Sequence, residues 1–197
     1  AGKTTMLQHL LSAASNRDCR IAVINNEFSP SPVVQVGIQN ELSFSAEEAG
    51  QETAPAAVSA DLYQTSKGCV CCGSKEDLGS LLDRISSQEE KVDCVVLETT
   101  GMAEPSFVSM FYSGGIAKKF RLASIVTVVD SLHVGAHLKQ RGERASSSSS
   151  NECVEQIRYA HTVVLNKSSG CSQAYLHTLQ KQIGAINATA KLLVTDY

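Results

Sequence analysis

The chain has 197 residues, enough to bury the core of one compact α/β domain or one and a fraction, and one is expected. Its 17 basic and 20 acidic residues leave a formal charge of -3, and no Lys/Arg stripe interleaved with aromatics appears, so no nucleic-acid partner is expected. No apolar run approaches the roughly 20 residues of a membrane-spanning helix, and no membrane partner is expected either. Seven cysteines are present, and three of them crowd at Cys69, Cys71 and Cys72. Thiols that close along the chain make poor disulfide partners for each other but ready metal ligands, which points to a reducing, cytoplasmic setting; a targeting peptide would lie upstream of Ala1.

In chain order, Ala1-Gly2-Lys3-Thr4-Thr5 is the second half of a phosphate-binding P-loop, G-x-x-x-x-G-K-[ST]. Gly2 lets backbone approach a phosphate, Lys3 offers a charge to phosphate oxygens, and Thr4 offers a hydroxyl to Mg²⁺. The first glycine of the pattern and its strand would lie upstream of Ala1, so the chain is expected to be a truncated domain, and an ordinary helix start is the bland alternative. Met6, Leu7, Leu10, Leu11 and Ala14 fall on one helical face behind this stretch. Ile21 to Ile24 reads as a buried strand, followed by Asn26-Glu27-Phe28 and a proline-containing, acidic excursion from Ser29 to Ala60 of the kind that holds switch loops.

Gly68-Cys69-Val70-Cys71-Cys72 places three thiols within four residues, enough for three corners of a tetrahedral site. Soft ligands of this kind suit Zn²⁺, with Co²⁺ or Cu(I) as competitors; a redox pair or a structural zinc knot are the other readings. Ser74-Lys75-Glu76-Asp77 forms a capping box, so a helix with Leu78, Leu81, Leu82 and Ile85 should start just after the cysteines, its positive end favouring thiolate. Val92 to Leu97 is a strand ending in Glu98-Thr99-Thr100-Gly101, where a carboxylate can meet Mg²⁺ and a glycine amide the γ-phosphate.

Ile125 to Val129 is a further strand. His133 and His137 have helical metal-pair spacing but no third ligand nearby, and are read as solvated or packed. Arg141 to Asn151, with serines from Ser146 to Ser150, reads as a disordered surface insertion. A helix with Val154, Ile157 and Arg158 follows, then a strand from Thr162 to Leu165 ending in Asn166-Lys167. GTPases place Asn-Lys-x-Asp there, the Asp accepting guanine's N–H groups; here Ser169 stands in its place, which should weaken guanine preference and leaves an ATP-dependent reading open. A helix with Tyr175, Leu176, Leu179 and Ile183 and a strand from Leu192 to Thr195 complete the pattern. Cys19, Cys94, Cys153 and Cys171 are dispersed and read as packing residues. The sequons at Asn166 and Asn187 read as chance matches.

Buried strands alternating with helices imply a mostly parallel sheet with flanking helices, the α/β, Rossmann-like P-loop NTPase arrangement. In order, A-G-K-T-T, N-N-E-F, G-C-V-C-C, E-T-T-G-M-A-E-P, T-V-V-D-S and L-N-K resemble the CobW-type P-loop GTPases, and within them the eukaryotic zinc-regulated GTPase metalloprotein activators. The resemblance runs over residues 1–197 and implies a GTPase domain that is normally followed by a smaller C-terminal domain, absent from this sequence. It implies GTP hydrolysis coupled to delivery of zinc to a client metalloenzyme such as a methionine aminopeptidase, with GTP, Mg²⁺ and Zn²⁺ as cofactors and a nucleotide-dependent dimer as a further partner. Ala1, Gly2, Lys3, Thr4 and Thr5 would contact phosphates; Cys72, Gly73, Ser74, Lys75 and Glu76 would lie beside the nucleotide; Asn166 and Lys167 would face the base. Lys3, Glu98 and Gly101 would serve hydrolysis, Thr4 and Glu98 would hold Mg²⁺, and Cys69, Cys71 and Cys72 would hold zinc. Ser29-Pro30-Ser31-Pro32 departs from the family's first switch. With Ser169 and the cut P-loop it keeps a second expectation in view, a diverged pseudo-GTPase acting as a non-enzymatic metal-binding module.

Overall fold

The computed structural model describes residues 1–15, 19–25, 60–64, 75–89, 91–101, 103–139 and 151–197. Asn26-Glu27-Phe28, the excursion up to residue 59, the cysteine segment 68–74 and the serine run lie outside the described residues. The chain divides into two compact units, Thr4–Gly101 and Ala1–Lys3 with Met102–Tyr197.

In the first unit, α1 (Lys3–Ser15), β1 (Ile21–Asn25), β2 (Ala60–Gln64), α2 (Lys75–Ser86) and β3 (Cys94–Glu98) follow one another. The strands form a parallel sheet in the order β2-β1-β3, with Ile21 opposite both Ala60 and Cys94, and Asn25 opposite Gln64 and Glu98. β1 is central, and Ile21, Ala22, Val23 and Ile24 are all buried, as a strand covered on both faces requires. Leu7, Leu11 and Ala14 of α1 join Ile21 and Val23 in one cluster, with Cys19 and Val96 packed against it. Leu10, expected on the same stripe, is 39% exposed, because three residues of helix rotate it about 60° away from Leu7 to the stripe's edge. β2 begins at Ala60, the last residue of the expected excursion, and was not anticipated.

The second unit carries a 3-10 turn (Pro105–Phe111), α3 (Gly114–Lys119), β4 (Val126–Asp130), α4 (Val134–Lys139), α5 (Glu152–Tyr159), β5 (Thr162–Asn166), a 3-10 turn (Ser168–Gly170), α6 (Gln173–Ile186) and β6 (Lys191–Val194). Its sheet is parallel in the order β4-β5-β6. β5 is central, with Val163, Val164 and Leu165 buried. Val129, Val134, Ile157, Ala160, Val163, Leu165, Leu179 and Ile183 form one core, so α4, α5 and α6 all contribute to the cover of this sheet.

Side chains set the element ends. Asn151 caps α5 by accepting Val154 N–H at 3.3 Å, and Ser172 caps α6 by accepting Tyr175 N–H at 3.3 Å. Asn187, just past α6, donates to the carbonyls of Ile157, Arg158 and Ala160 at 3.0, 3.1 and 2.9 Å. Its oxygen accepts from the amides of Thr189 and Ala190, so one side chain ties the end of α5 to the turn that leads into β6. An amide nitrogen held this way suits a structural role and explains the sequon at Asn187 without glycosylation.

Candidate nucleotide and metal site

Within the first unit, Thr4 sits in the first turn of α1 and Glu98 ends β3, 94 positions away. Parallel pairing carries Glu98 to the same sheet end as Asn25, and there Thr4 Oγ1 donates to Glu98 Oε1 at 3.1 Å. Glu98 is only 6% exposed, and a carboxylate that deep in a fold requires polar company. A hydroxyl beside a carboxylate is a hard-oxygen donor set, and it fits Mg²⁺. The two side chains expected to hold that ion are thus brought together. Gly101 lies in the exposed turn after β3. Thr5 lies in α1. Lys75 and Glu76 open α2, so the helix begins where the capping box placed it.

Within the second unit, Asn166 organises the ends of three segments. It ends β5 and is wholly buried. Its Nδ2 donates to Ala1 O at 3.0 Å and to Tyr197 O at 2.7 Å, while Oδ1 accepts Tyr197 N–H at 2.9 Å and the Thr195 hydroxyl at 3.3 Å. Two donors and two lone pairs are all a carboxamide has, and each has a partner. Gly2 has φ +94, and a Cβ there would run into the Asn166 amide, so glycine is required both for conformation and for space. The expected phosphate-loop residues Ala1 and Gly2 are therefore anchored by the expected base-side residue Asn166.

Lys167 is the one non-glycine residue with positive φ among the described residues, at φ 60 and ψ 42. That left-handed turn ends β5 and lets Lys167 Nζ meet Asp130 Oδ2, at the end of the neighbouring β4, at 2.7 Å. His133 Nδ1 lies 3.1 Å from Asp130 Oδ1, and the Leu132 amide donates to the same oxygen at 3.0 Å. Desolvation pushes the Asp130 carboxyl up, but the bonds from Lys167, His133 and Leu132 outweigh it and hold the group at about 2. His133 thus has a definite carboxylate partner rather than forming a pair with His137. Sequence reasoning assigned no role to Asp130, although it ends an apolar strand just as Glu98 and Asn166 do.

Ser169 lies in the 3-10 turn after Lys167, and its amide donates to Asp196 Oδ1 at 3.3 Å. Nothing in the sequence singled out Asp196. Cys19 and Cys153 pack against the two cores as expected, whereas Cys94 is exposed at the start of β3, a correction to its reading as a packing residue. Cys69, Cys71, Cys72, Gly73 and Ser74 lie outside the described residues. Among the described residues no group of three or more His, Cys, Asp or Glu could hold a metal.

A family model described as the CobW/HypB/UreG nucleotide-binding domain matches residues 1–194. The chain belongs to this family. Among curated CobW/HypB/UreG-related proteins, it is 29% identical over 204 residues to zinc-regulated GTPase metalloprotein activator 1 of Schizosaccharomyces pombe, covering 100% of the chain and 43% of that protein. It is 30% identical over 209 residues to the zinc chaperone CobW of Pseudomonas aeruginosa, covering 98% of the chain and 53% of that protein. The crystal structure of Zn(II)-bound YjiA GTPase from Escherichia coli superposes with a TM-score of 0.62 at 25% identity, covering 98% of the chain and 53% of that structure. The chain thus spans about half the length of the relatives it matches, and its fold is that of the P-loop GTPases in this family.

Proposed function

We propose that this domain binds and hydrolyses GTP and uses the nucleotide state to control a zinc ion held by Cys69, Cys71 and Cys72, for delivery to a client metalloenzyme. The observation that carries the nucleotide half is the Thr4–Glu98 hydrogen bond, because it sets a P-loop hydroxyl and a strand-end carboxylate, 94 positions apart in sequence, side by side as a hard-oxygen donor pair. The zinc half is supported by the three cysteines and by the zinc named in the relatives.

Lys3 would neutralise phosphate oxygens as charge develops during in-line attack of water on the γ-phosphate, and the Gly101 backbone would sense that phosphate. Thr4 and Glu98 would hold Mg²⁺, which when bound would neutralise β- and γ-phosphate oxygens. Gly2, kept in place by Asn166, would let the main chain approach the phosphate. Nucleotide exchange would move the segment from Cys72 to Glu76 and with it the thiolates, so that zinc affinity differs between the GTP and GDP states.

Hydrolysis by the purified protein tests the nucleotide half. The parent should release phosphate from GTP in a Mg²⁺-dependent manner, and Glu98→Gln should lower kcat at least about tenfold. Unchanged turnover in Glu98→Gln would remove Glu98 from the machinery, and no turnover or binding in the parent would favour the non-enzymatic metal-binding module.

A further inference from the structure

The turn after β5 departs from Asn-Lys-x-Asp at Ser169, yet an acid stands beside it. The pairing of β5 with β6 continues beyond its last register pair, Leu165 opposite Val194. Thr195 N–H donates to Leu165 O at 2.9 Å, and Ser168 N–H donates to Thr195 O at 3.2 Å. These bonds bring residue 196 alongside residue 169, where Asp196 Oδ1 accepts the Ser169 amide at 3.3 Å. The carboxylate that the pattern would supply from the turn itself is therefore supplied to the same turn from the end of β6.

Its surroundings suit a ligand. Asp196 is exposed, and a carboxylate has about four lone-pair positions, so accepting one backbone amide leaves capacity for others. Lys167 is engaged by Asp130 at 2.7 Å, on β4 rather than β6. The segment that carries Asp196 is fixed on both sides, since Thr195 and Tyr197 both bond to Asn166, the side chain that also holds Ala1. The P-loop end and the acid are thus positioned by one buried carboxamide within one unit.

We propose that Asp196 is the residue that reads the base, accepting the ring and exocyclic N–H groups of guanine in place of the acid missing at 169. This rests on the nucleotide reading above. Guanine presents two adjacent donors to a carboxylate, whereas adenine presents a lone pair at its ring nitrogen, so Asp196 favours GTP over ATP.

Calorimetric titration of the purified protein with GTP, ATP and xanthosine triphosphate tests this. The parent prefers GTP over ATP by about ten- to a hundredfold, as bonds to a charged acceptor provide. Asp196→Asn loses that preference with ATP binding unchanged and gains affinity for the xanthine nucleotide, whose carbonyl can accept from the new carboxamide. Ser169→Ala, which keeps the backbone amide, retains the GTP preference. A GTP preference that survives Asp196→Asn overturns the proposal. Equal loss of all three nucleotides in both Asp196→Asn and Asp196→Ala also overturns it, assigning Asp196 to holding the turn. A parent that binds none of the nucleotides refutes the nucleotide reading itself, and the base-reading role falls with it.

Discussion

Asn166 is buried completely, and its carboxamide makes four hydrogen bonds, to Ala1, Tyr197 twice and Thr195. Removing the side chain would take the partner from two main-chain oxygens, an amide and a hydroxyl at a part-buried junction. Asn166→Ala should therefore cost about 3 kcal/mol in urea unfolding, and a loss below about 1 kcal/mol would mean that the hub is replaceable. Asp130 makes a second residue-scale prediction. Its carboxyl sits at about 2 against an ordinary 3.8. Because the folded value is the lower one, the stabilisation is fully present above the unfolded value and is lost as pH falls through the folded value. The domain should therefore lose about 1 kcal/mol between about pH 4 and about pH 2 through this group, after allowing for solvent screening. Asp130→Asn should flatten that part of a pH series of urea midpoints, and an unaltered slope would show that Lys167 and His133 do not stabilise the charge.

At the scale of elements, Asn187 joins α5, α6 and the entry to β6 through one side chain. Asn187→Ala should destabilise by about 2 kcal/mol, and hydrogen exchange should quicken in α5 and at the start of β6 together. Exchange confined to α6 would show that the junction is held by apolar packing instead. Strands β1, β3, β4, β5 and β6 were legible in the sequence because each is a β-branched or apolar run, although only the central β1 and β5 are buried along nearly their whole length and Leu193 and Val194 of β6 are exposed. β2 was not, since Ala60-Asp61-Leu62-Tyr63-Gln64 has neither an apolar run nor a turn signal before it and is defined by pairing with β1. Pro105–Phe111, α3 and α4 are each too short to show a helical period. The Thr4–Glu98 contact was legible because motif order implies it. The Asn166 hub, the Asp130–Lys167 pair and Asp196 were not, because strand register places those groups together.

For the whole molecule, family membership and fold agree with the order of motifs along the chain, and the proposal that remains is the coupling of nucleotide to zinc. Zinc binding at Cys69, Cys71 and Cys72 should release protons, and X-ray absorption should show mainly sulfur neighbours at about 2.3 Å. Cys71→Ser with Cys72→Ser should abolish stoichiometric zinc; retained stoichiometry would place the metal elsewhere. Coupling is reciprocal, so if GTP and GDP states differ in zinc affinity, zinc must change the preference for GTP over GDP by the same factor. The most direct test is zinc affinity against a competing chelator with a non-hydrolysable GTP analogue and with GDP. The account predicts affinities that differ by about tenfold or more between the two states. Equal zinc affinity in both nucleotide states would contradict it.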